Sequence, residues 1–193
     1  MKNYKEVENH VLGKLKQELP PDLYYHGVHH TEDVLHSAEI IGKDEKISDD
    51  EMLLLKIAVL YHELGFTRVY KNHEEMGCDM ARVDLPQFGF SKEQIEIICG
   101  MIMATKIPQK PKTQLERIIA DADLEYLGTE DFEQIGKTLF EEIRIYLDVE
   151  SERQWNIIQM NFLKNHHYHT DYCIRNREAQ KQKHQQHIIK IVE

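Results

Sequence analysis

The sequence predicts an all-α protein folded as one helical bundle of about eight or nine helices. Apolar residues recur three or four positions apart along most of the chain, which is the spacing of amphipathic helices. No segment alternates between apolar and polar residues for more than a few positions, as a half-buried strand would. The 193 residues include 9 Gly and 5 Pro, which is few for an all-β sandwich with many tight turns.

The first half of the chain carries signals for the beginnings and ends of helices. We predict five helices there, over residues 7–19, 31–41, 52–64, 73–85 and 91–102. Residues that stop helices follow four of them, namely Pro20, Gly42, Gly65 and Pro86. Ser48 with Glu51, and Ser91 with Gln94, have the spacing of capping boxes, which begin helices.

The second half continues the helical pattern beyond a loop bracketed by Pro108 and Pro111. We predict three helices, over residues 115–127, 129–147 and 151–163. The polar tail, residues 171–193, is rich in Lys, Gln and His and is expected to form a partly exposed terminal helix. The sequence contains no internal repeat and no low-complexity linker, so we predict a single domain over residues 1–193.

Charge and composition narrow the classes of function. The net charge of −10 argues against binding a nucleic-acid polymer, which is held mainly by Lys and Arg, but leaves a small phosphorylated ligand possible. The longest apolar stretch, residues 52–64, is interrupted by charged residues, so we expect no membrane span. An N-terminus without a signal-peptide pattern and three widely spaced cysteines favour free buried thiols and a cytoplasmic location. The oligomeric state stays open.

Candidate site residues come from the 12 histidines and from one carboxylate in an apolar run. His26 and His30 are four positions apart and would share one helix face. His62 and Glu63 stand at a predicted helix end. Asp123 lies in an otherwise apolar stretch, where a carboxylate is costly to bury unless it is paired or binds a metal. Imidazole and carboxylate ligands together suit Mn²⁺, Fe²⁺, Co²⁺, Ni²⁺, Zn²⁺ or Mg²⁺.

These residues occur in an order that resembles a known family. His30, then His62-Glu63, then Asp123 is similar to the H…HD…D signature of the HD-domain superfamily of metal-dependent phosphohydrolases. Tyr25-His26-x-x-x-His30 is also similar to the first-helix motif of HD phosphohydrolases and cyclic-nucleotide phosphodiesterases. The resemblance covers about residues 24–127 and leaves residues 128–193 as a C-terminal helical extension.

The resemblance implies a role for each matching residue. The implied metal ligands are His30, His62, Glu63 and Asp123, with Asp121 the less favoured aspartate because Asp123 precedes an apolar residue at a helix turn. His26 is implied as the general acid toward the leaving oxygen. Glu63 departs from the family aspartate by one methylene, and we expect it still to bind the metal or its bound water.

The resemblance also implies residues for the substrate and a single metal ion per chain, because no further histidine lies near residues 101–106, where two-metal members often have one. His73 would face the site, hold phosphate or bind a second metal; the alternative is a helix-start histidine that pairs with a neighbouring carboxylate. Arg68, Lys71 and Lys106 are the candidate phosphate-binding cations, although loop lysines are commonly only solvated.

The sequence is compatible with two functions for the candidate site and, as a third possibility, with a helical interaction protein that has no such site. The first is a metal-dependent phosphohydrolase that acts on a phosphomonoester or phosphodiester of a nucleotide through metal-activated water. The alternative is a non-catalytic HD-fold module that binds a nucleotide or metal, with the Glu63 substitution having abolished turnover.

Overall fold

A computed structural model describes residues 4–193, and within that range the regular structure is helical, without strands. The ten α-helices are α1 (Tyr4–Glu18), α2 (Val28–Asp44), α3 (Asp49–His62), α4 (His73–Asp84), α5 (Lys92–Ala104), α6 (Gln114–Asp123), α7 (Phe132–Tyr146), α8 (Glu152–Asn165), α9 (Asp171–Asn176) and α10 (Glu178–Val192). Short 3-10 turns follow α3, α4 and α6, at Leu64–Thr67, Leu85–Phe88 and Glu125–Gly128. The predicted all-α class is confirmed.

Side-chain caps stand at the beginnings of α3, α5, α6, α8 and α9. Ser48 and Ser91 accept hydrogen bonds from the backbone N–H groups three residues later, and both capping boxes form as predicted. Thr113 and Ser151 form two further boxes, at the starts of α6 and α8. A side-chain oxygen at this position satisfies an N–H group that would otherwise lack a partner at the helix start.

Several predicted helix ends were wrong, and α6, for example, ends at Asp123 and not at residue 127. α2 continues through Gly42 to Asp44, and the chain turns at Lys46, whose φ is 58°. Gly42 lies inside α2, and a Cβ there would lie 2.7 Å from the end of the Met52 side chain that packs against it. The tail also forms two helices, α9 and α10, so the described chain has ten helices where eight or nine were predicted.

The main core surrounds α3, which packs against α1, α2, α4, α5 and α6. Most of this helix is apolar on every side, as expected of a helix at the centre of a bundle. Its buried residues are Leu54, Leu55, Ile57, Ala58, Val59, Leu60, Tyr61 and His62. Because α3 is central, the residues at its C-terminal end lie deep in the protein.

A smaller apolar cluster joins the C-terminal helices to the end of α6. Leu124 precedes the third 3-10 turn and Leu127 lies within it. Both pack with residues of α7, α8 and α10, including Phe132, Leu163 and Ile188. These helices therefore form a wall next to Asp123, the last residue of α6.

Two further predictions concern cysteines and membranes. Cys78, Cys99 and Cys173 are all free and buried, as expected. Along residues 4–193, none of the helices combines the length and hydropathy required to cross a bilayer.

Candidate active site

Three predicted metal ligands meet where α2, α3 and α6 converge. His30 lies in the first turn of α2, while His62 and Asp123 end α3 and α6. His30 Nε2 is 3.0 Å from Asp123 Oδ1, and His62 Nε2 is 3.6 Å from the same oxygen. One ligand atom from each of the three residues lies within 4.8 Å of the others. The structure thus brings together side chains that are up to 93 residues apart in sequence.

The His62 ring is oriented by its own helix. Its Nδ1 donates to the Val59 carbonyl oxygen over 2.6 Å, so the opposite nitrogen, Nε2, faces the cluster. A backbone acceptor of this kind selects the tautomer whose Nε2 lone pair is available to a metal. Within residues 4–193, His62 Nε2 is one of five buried side-chain polar atoms without a hydrogen-bond partner.

Glu63 lies beside the three-residue cluster. Its Oε1 is 3.4 Å from His62 Nε2, and its Oε2 is another of the buried atoms left without a partner among the described residues. After Glu63 the backbone of the 3-10 turn comes very close to α4, since a Cβ on Gly65 would lie 1.9 Å from the His73 carbonyl oxygen. Only glycine permits that approach of the 3-10 turn to α4.

The electrostatics of the cluster reflect buried groups of opposite charge. Burial favours a neutral ring, yet the Glu63 and Asp123 carboxylates outweigh it and raise the pKa of His62 to about 9. Burial likewise opposes ionisation of Asp123, but the facing rings of His30 and His62 hold the pKa of that carboxyl below its ordinary value. The site therefore contains a buried carboxylate that strongly favours a positive neighbour.

The donor set fits a divalent cation. Two imidazole nitrogens and a carboxylate oxygen converge, and a second buried carboxylate, that of Glu63, has an oxygen without a partner. Unpaired buried polar atoms are costly, and coordination to a metal would satisfy them. His30, His62 and Asp123 would hold the ion, with Glu63 close enough to contribute or to bind its water.

The predicted general acid, His26, is held by a residue that sequence reasoning missed. His26 Nδ1 contacts the Glu142 carboxylate, and Glu142 Oε2 accepts hydrogen bonds from the backbone N–H groups of Tyr25 and His26 at 2.9 and 3.0 Å. Burial opposes protonation of the ring, but the Glu63 and Glu142 carboxylates prevail and raise the pKa of His26. Tyr70 donates a further hydrogen bond to Glu142.

A sequence signal for Glu142 existed in the α7 stripe. Ile135, Leu139, Glu142 and Tyr146 are spaced four, three and four residues apart, so Glu142 occupies a position on the inward face. A fully buried carboxylate at such a position requires a partner, and the partner is His26.

His73 lies near the site but outside the metal cluster. The Phe66 ring stacks between His26 and His73, with ring centroids 4.4 and 3.8 Å away. His73 Nδ1 donates to the Tyr70 carbonyl oxygen, and its Nε2 is 3.6 Å from Glu74 Oε1. Burial lowers the pKa of His73. His73 thus adjoins the site and also faces a neighbouring carboxylate, so both interpretations of its role stay predictions.

The three candidate phosphate-binding cations lie elsewhere. Arg68 bonds to Glu18 at 2.7 Å, Lys106 pairs with Glu75, and Lys71 is exposed. None of the three lines either cavity at the site. A phosphate-binding role for them stays a prediction.

Asp121, the alternative aspartate, has a structural position. It is fully buried and accepts hydrogen bonds from the His169 and Thr170 backbone N–H groups and from the Thr170 hydroxyl, over 2.6–3.0 Å. These bonds attach the segment before α9, which includes His169, to α6.

Two cavities adjoin the cluster. Tyr25, Asp123 and Tyr126 line both of them. The first, of about 400 Å³, carries three acidic side chains besides Asp123 (Asp33, Glu125 and Asp131), and we call it the acidic cleft. The second, of about 360 Å³, extends from His26 and Glu63 between α7 and α8 and is lined mainly by apolar side chains; we call it the apolar cavity.

The HD domain profile matches residues 27–125, just over half of the chain, and this stretch contains the whole metal cluster. The chain belongs to the HD-domain family. The fold is similar to that of a predicted HD superfamily hydrolase from an uncultured Thermotogales bacterium, whose crystal structure aligns with a TM-score of 0.57 and 21% sequence identity over 83% of this chain and 85% of the other. No curated protein matches this chain.

Membership in the HD-domain family agrees with the geometry. His30, His62 and Asp123 match the H…HD…D order and form the potential metal-binding cluster, while Glu63 stands where the signature has aspartate. This HD-domain protein thus belongs to a family of metal-dependent hydrolases, and its potential metal site lies where α2, α3 and α6 converge.

Proposed function

We propose that this HD-domain protein is a phosphohydrolase that cleaves a phosphomonoester or phosphodiester with metal-activated water. The observation that carries the proposal is the convergence of His30, His62 and Asp123 beside the two buried, unpartnered atoms His62 Nε2 and Glu63 Oε2. A divalent ion bound there would lower the pKa of a coordinated water and polarise a phosphoryl oxygen, as phosphoester hydrolysis requires.

The chain's own residues supply the remaining chemistry. His26 is the general acid: Glu142 occupies its Nδ1, so Nε2 is the nitrogen that can donate a proton to the leaving oxygen. The Glu63 and Glu142 carboxylates raise the pKa of His26 against the effect of burial, which favours the protonated ring that a general acid requires. Its ring centroid is 6.1 Å from that of His30, which places the acid next to the metal-binding residues.

The sequence predicts a nucleotide substrate with His73, Arg68, Lys71 and Lys106 as its contacts, whereas the proposed function names only a small phosphoester. His73 is the best placed of the four, since it lines the apolar cavity beside Glu63. The cytoplasmic location is likewise proposed, on the support of three free buried cysteines. The acidic net charge supports a small-molecule substrate over a nucleic-acid polymer.

The test is metal content followed by turnover. Protein purified without chelator, as wild type and His62→Ala, is analysed for bound Mn, Fe, Co, Ni and Zn, and each loaded form is assayed with p-nitrophenyl phosphate and bis(p-nitrophenyl) phosphate. We expect one ion per chain and metal-dependent hydrolysis in the wild type, with both lost in His62→Ala. A wild type that retains no ion after incubation with Mn²⁺, Fe²⁺ or Zn²⁺ would refute the proposal, and a bound ion without turnover would favour the non-catalytic module.

A further inference from the structure

The apolar cavity begins at the active site and continues away from it. Its inner end is formed by His26, Glu63, His73 and Asp123, so a molecule held at the metal position could extend directly into the cavity. Beyond that end the walls are hydrocarbon and aromatic, and they include Leu127, Phe132, Ile143, Val149, Trp155 and Phe162. A cavity of about 360 Å³ with such walls has the size and composition of a small-molecule site.

Few polar groups in the outer part of this cavity are available to a ligand. Glu74 lies beside His73 at the active-site end, and the polar groups farther out are the Thr105 hydroxyl, the Trp155 indole N–H and the Gln159 amide. The Thr105 hydroxyl donates to the Ile102 carbonyl oxygen at 2.8 Å, and the Gln159 amide donates to Asn156 at 3.2 Å. A ribose or base entering here would lose hydrogen bonds to water and regain few, which is unfavourable.

The charges around the site lead to the same conclusion. The residues that line the apolar cavity and the acidic cleft, all within 4–193, include no Lys or Arg. The acidic cleft adds Asp33 and Asp131, which would repel further phosphate groups, and Glu125, whose charge is paired with Arg177. The site thus suits a substrate with a single phosphate group, at the metal position, and an uncharged remainder.

The entrance of the cavity is also apolar. Ile107, Leu147 and Ile158 line it while remaining 52%, 48% and 43% exposed. Large apolar side chains left in contact with water and grouped at one opening are typical of a binding site for an apolar group.

We propose that the apolar cavity binds the organic group of the substrate and that this group is an aliphatic chain, which makes the substrate a phosphate ester of an aliphatic alcohol. The inference rests on the proposed function, because it places the phosphate at His30, His62 and Asp123. It deepens that function by naming the substrate class, and it departs from the nucleotide expected from the sequence.

The test measures binding of ligands that cannot be hydrolysed. Ethyl-, butyl-, hexyl- and octylphosphonate, each below its critical micelle concentration, are titrated against the metal-loaded protein and the metal-free protein. Trp155, the single tryptophan, lines the cavity and reports occupancy by fluorescence. Calorimetry provides a second readout, since burial of apolar surface gives a negative heat-capacity change.

We expect the affinity to rise about fourfold for each added methylene, the equivalent of about 0.8 kcal/mol. Ile158→Asp, at the entrance, should abolish most of this increase for octylphosphonate and leave ethylphosphonate binding unchanged. Ile145→Asp is the matched control, because Ile145 is 50% exposed and lies outside the cavity lining.

Affinity that does not depend on chain length, or tighter binding of a nucleoside phosphonate than of octylphosphonate, would overturn the inference. The outcome is separate from that of the proposed function. Chain-length dependence in a protein that never turns over would leave the cavity assignment intact and refute only catalysis. Turnover without chain-length dependence would support the proposed function and refute only the cavity assignment.

Discussion

His26 and Glu142 are 116 residues apart in the chain, yet they form a buried pair beside the metal cluster. Glu142 is fully buried and bonds both to the His26 ring and to the His26 backbone N–H. It therefore controls the orientation and the charge of the proposed general acid. A carboxylate on the distal nitrogen of a catalytic histidine fixes the tautomer and stabilises the protonated ring.

Replacing Glu142 should alter the pH dependence of catalysis. Because the Glu142 carboxylate helps to raise the pKa of His26, Glu142→Gln should lower that pKa and move the alkaline limb of the kcat profile to lower pH. His26→Ala should reduce kcat by about 10²- to 10⁴-fold, the usual contribution of a general acid. Glu141→Gln, at the exposed neighbouring position, is the control and should leave the profile unchanged. An unshifted limb in a folded Glu142→Gln protein would contradict the positioning role.

The two aspartates of α6 should separate metal binding from folding. Asp123→Asn should abolish stoichiometric metal binding and leave the fold intact, because it removes a charged ligand without changing shape. Asp121→Asn should retain the metal but lower the free energy of unfolding by about 1–3 kcal/mol, since its carboxylate accepts hydrogen bonds from His169 and Thr170. Metal analysis and urea unfolding of both variants provide the measurement, and retention of the ion by Asp123→Asn would exclude the assigned cluster.

Glu63 should prove to be adapted to its position. Its Oε1 lies 3.4 Å from His62 Nε2, and shortening the side chain by one methylene withdraws the carboxylate by about 1.5 Å. We therefore expect Glu63→Asp to weaken metal binding by about tenfold and Glu63→Gln to weaken it further, since supporting groups contribute about 10- to 100-fold in metal affinity. Competition with a chelator measures both. A gain of activity in Glu63→Asp would instead support the degenerate, non-catalytic alternative.

Gly65 should tolerate no side chain. A Cβ at this position would lie 1.9 Å from the His73 backbone oxygen, so Gly65→Ala must displace the start of α4 and should lower the free energy of unfolding by about 1–3 kcal/mol or more. Gly13→Ala is the matched control. It lies within α1 with no atom near its added Cβ and should raise stability by about 0.5–1 kcal/mol. Denaturant unfolding of the two variants measures this difference, and equal changes in the free energy of unfolding would disprove the close approach.

His166 should make the protein sensitive to acid. Burial and the neighbouring Lys181 ammonium lower the pKa of His166 from 6.5 to about 3. The unfolded chain therefore binds a proton that the folded chain does not, and stability is lost as the pH falls from 6.5 toward 3, by up to about 1.4 kcal/mol per pH unit. His166→Gln should flatten this dependence in thermal unfolding between pH 6.5 and 4. His167→Gln, at an exposed position, should not change it.

How far the sequence predicted the structure is clear from particular residues. The starts at Ser48 and Ser91 were predictable because a capping box is a contact between residues three apart. The predicted stop at Gly42 was wrong because α2 continues through this glycine, which lies against the Met52 side chain, and no local sequence signal reveals that contact. The apparently single tail helix divides at Arg177, where packing against Gly128 brings the backbones together.

The sequence by itself determined the helical class, most helix beginnings and the identities of His30, His62 and Asp123 as candidate ligands. These depend on local periodicity, on contacts between near neighbours and on chemically distinctive residue types. Only the tertiary structure decided that Asp121 anchors the segment before α9, that Glu142 holds His26 and that α7 and α8 enclose an apolar cavity beside the site. The first two properties depend on contacts across 48 and 116 residues and the third on how α7 and α8 are placed beside the site, and such contacts exist only once the helices have packed.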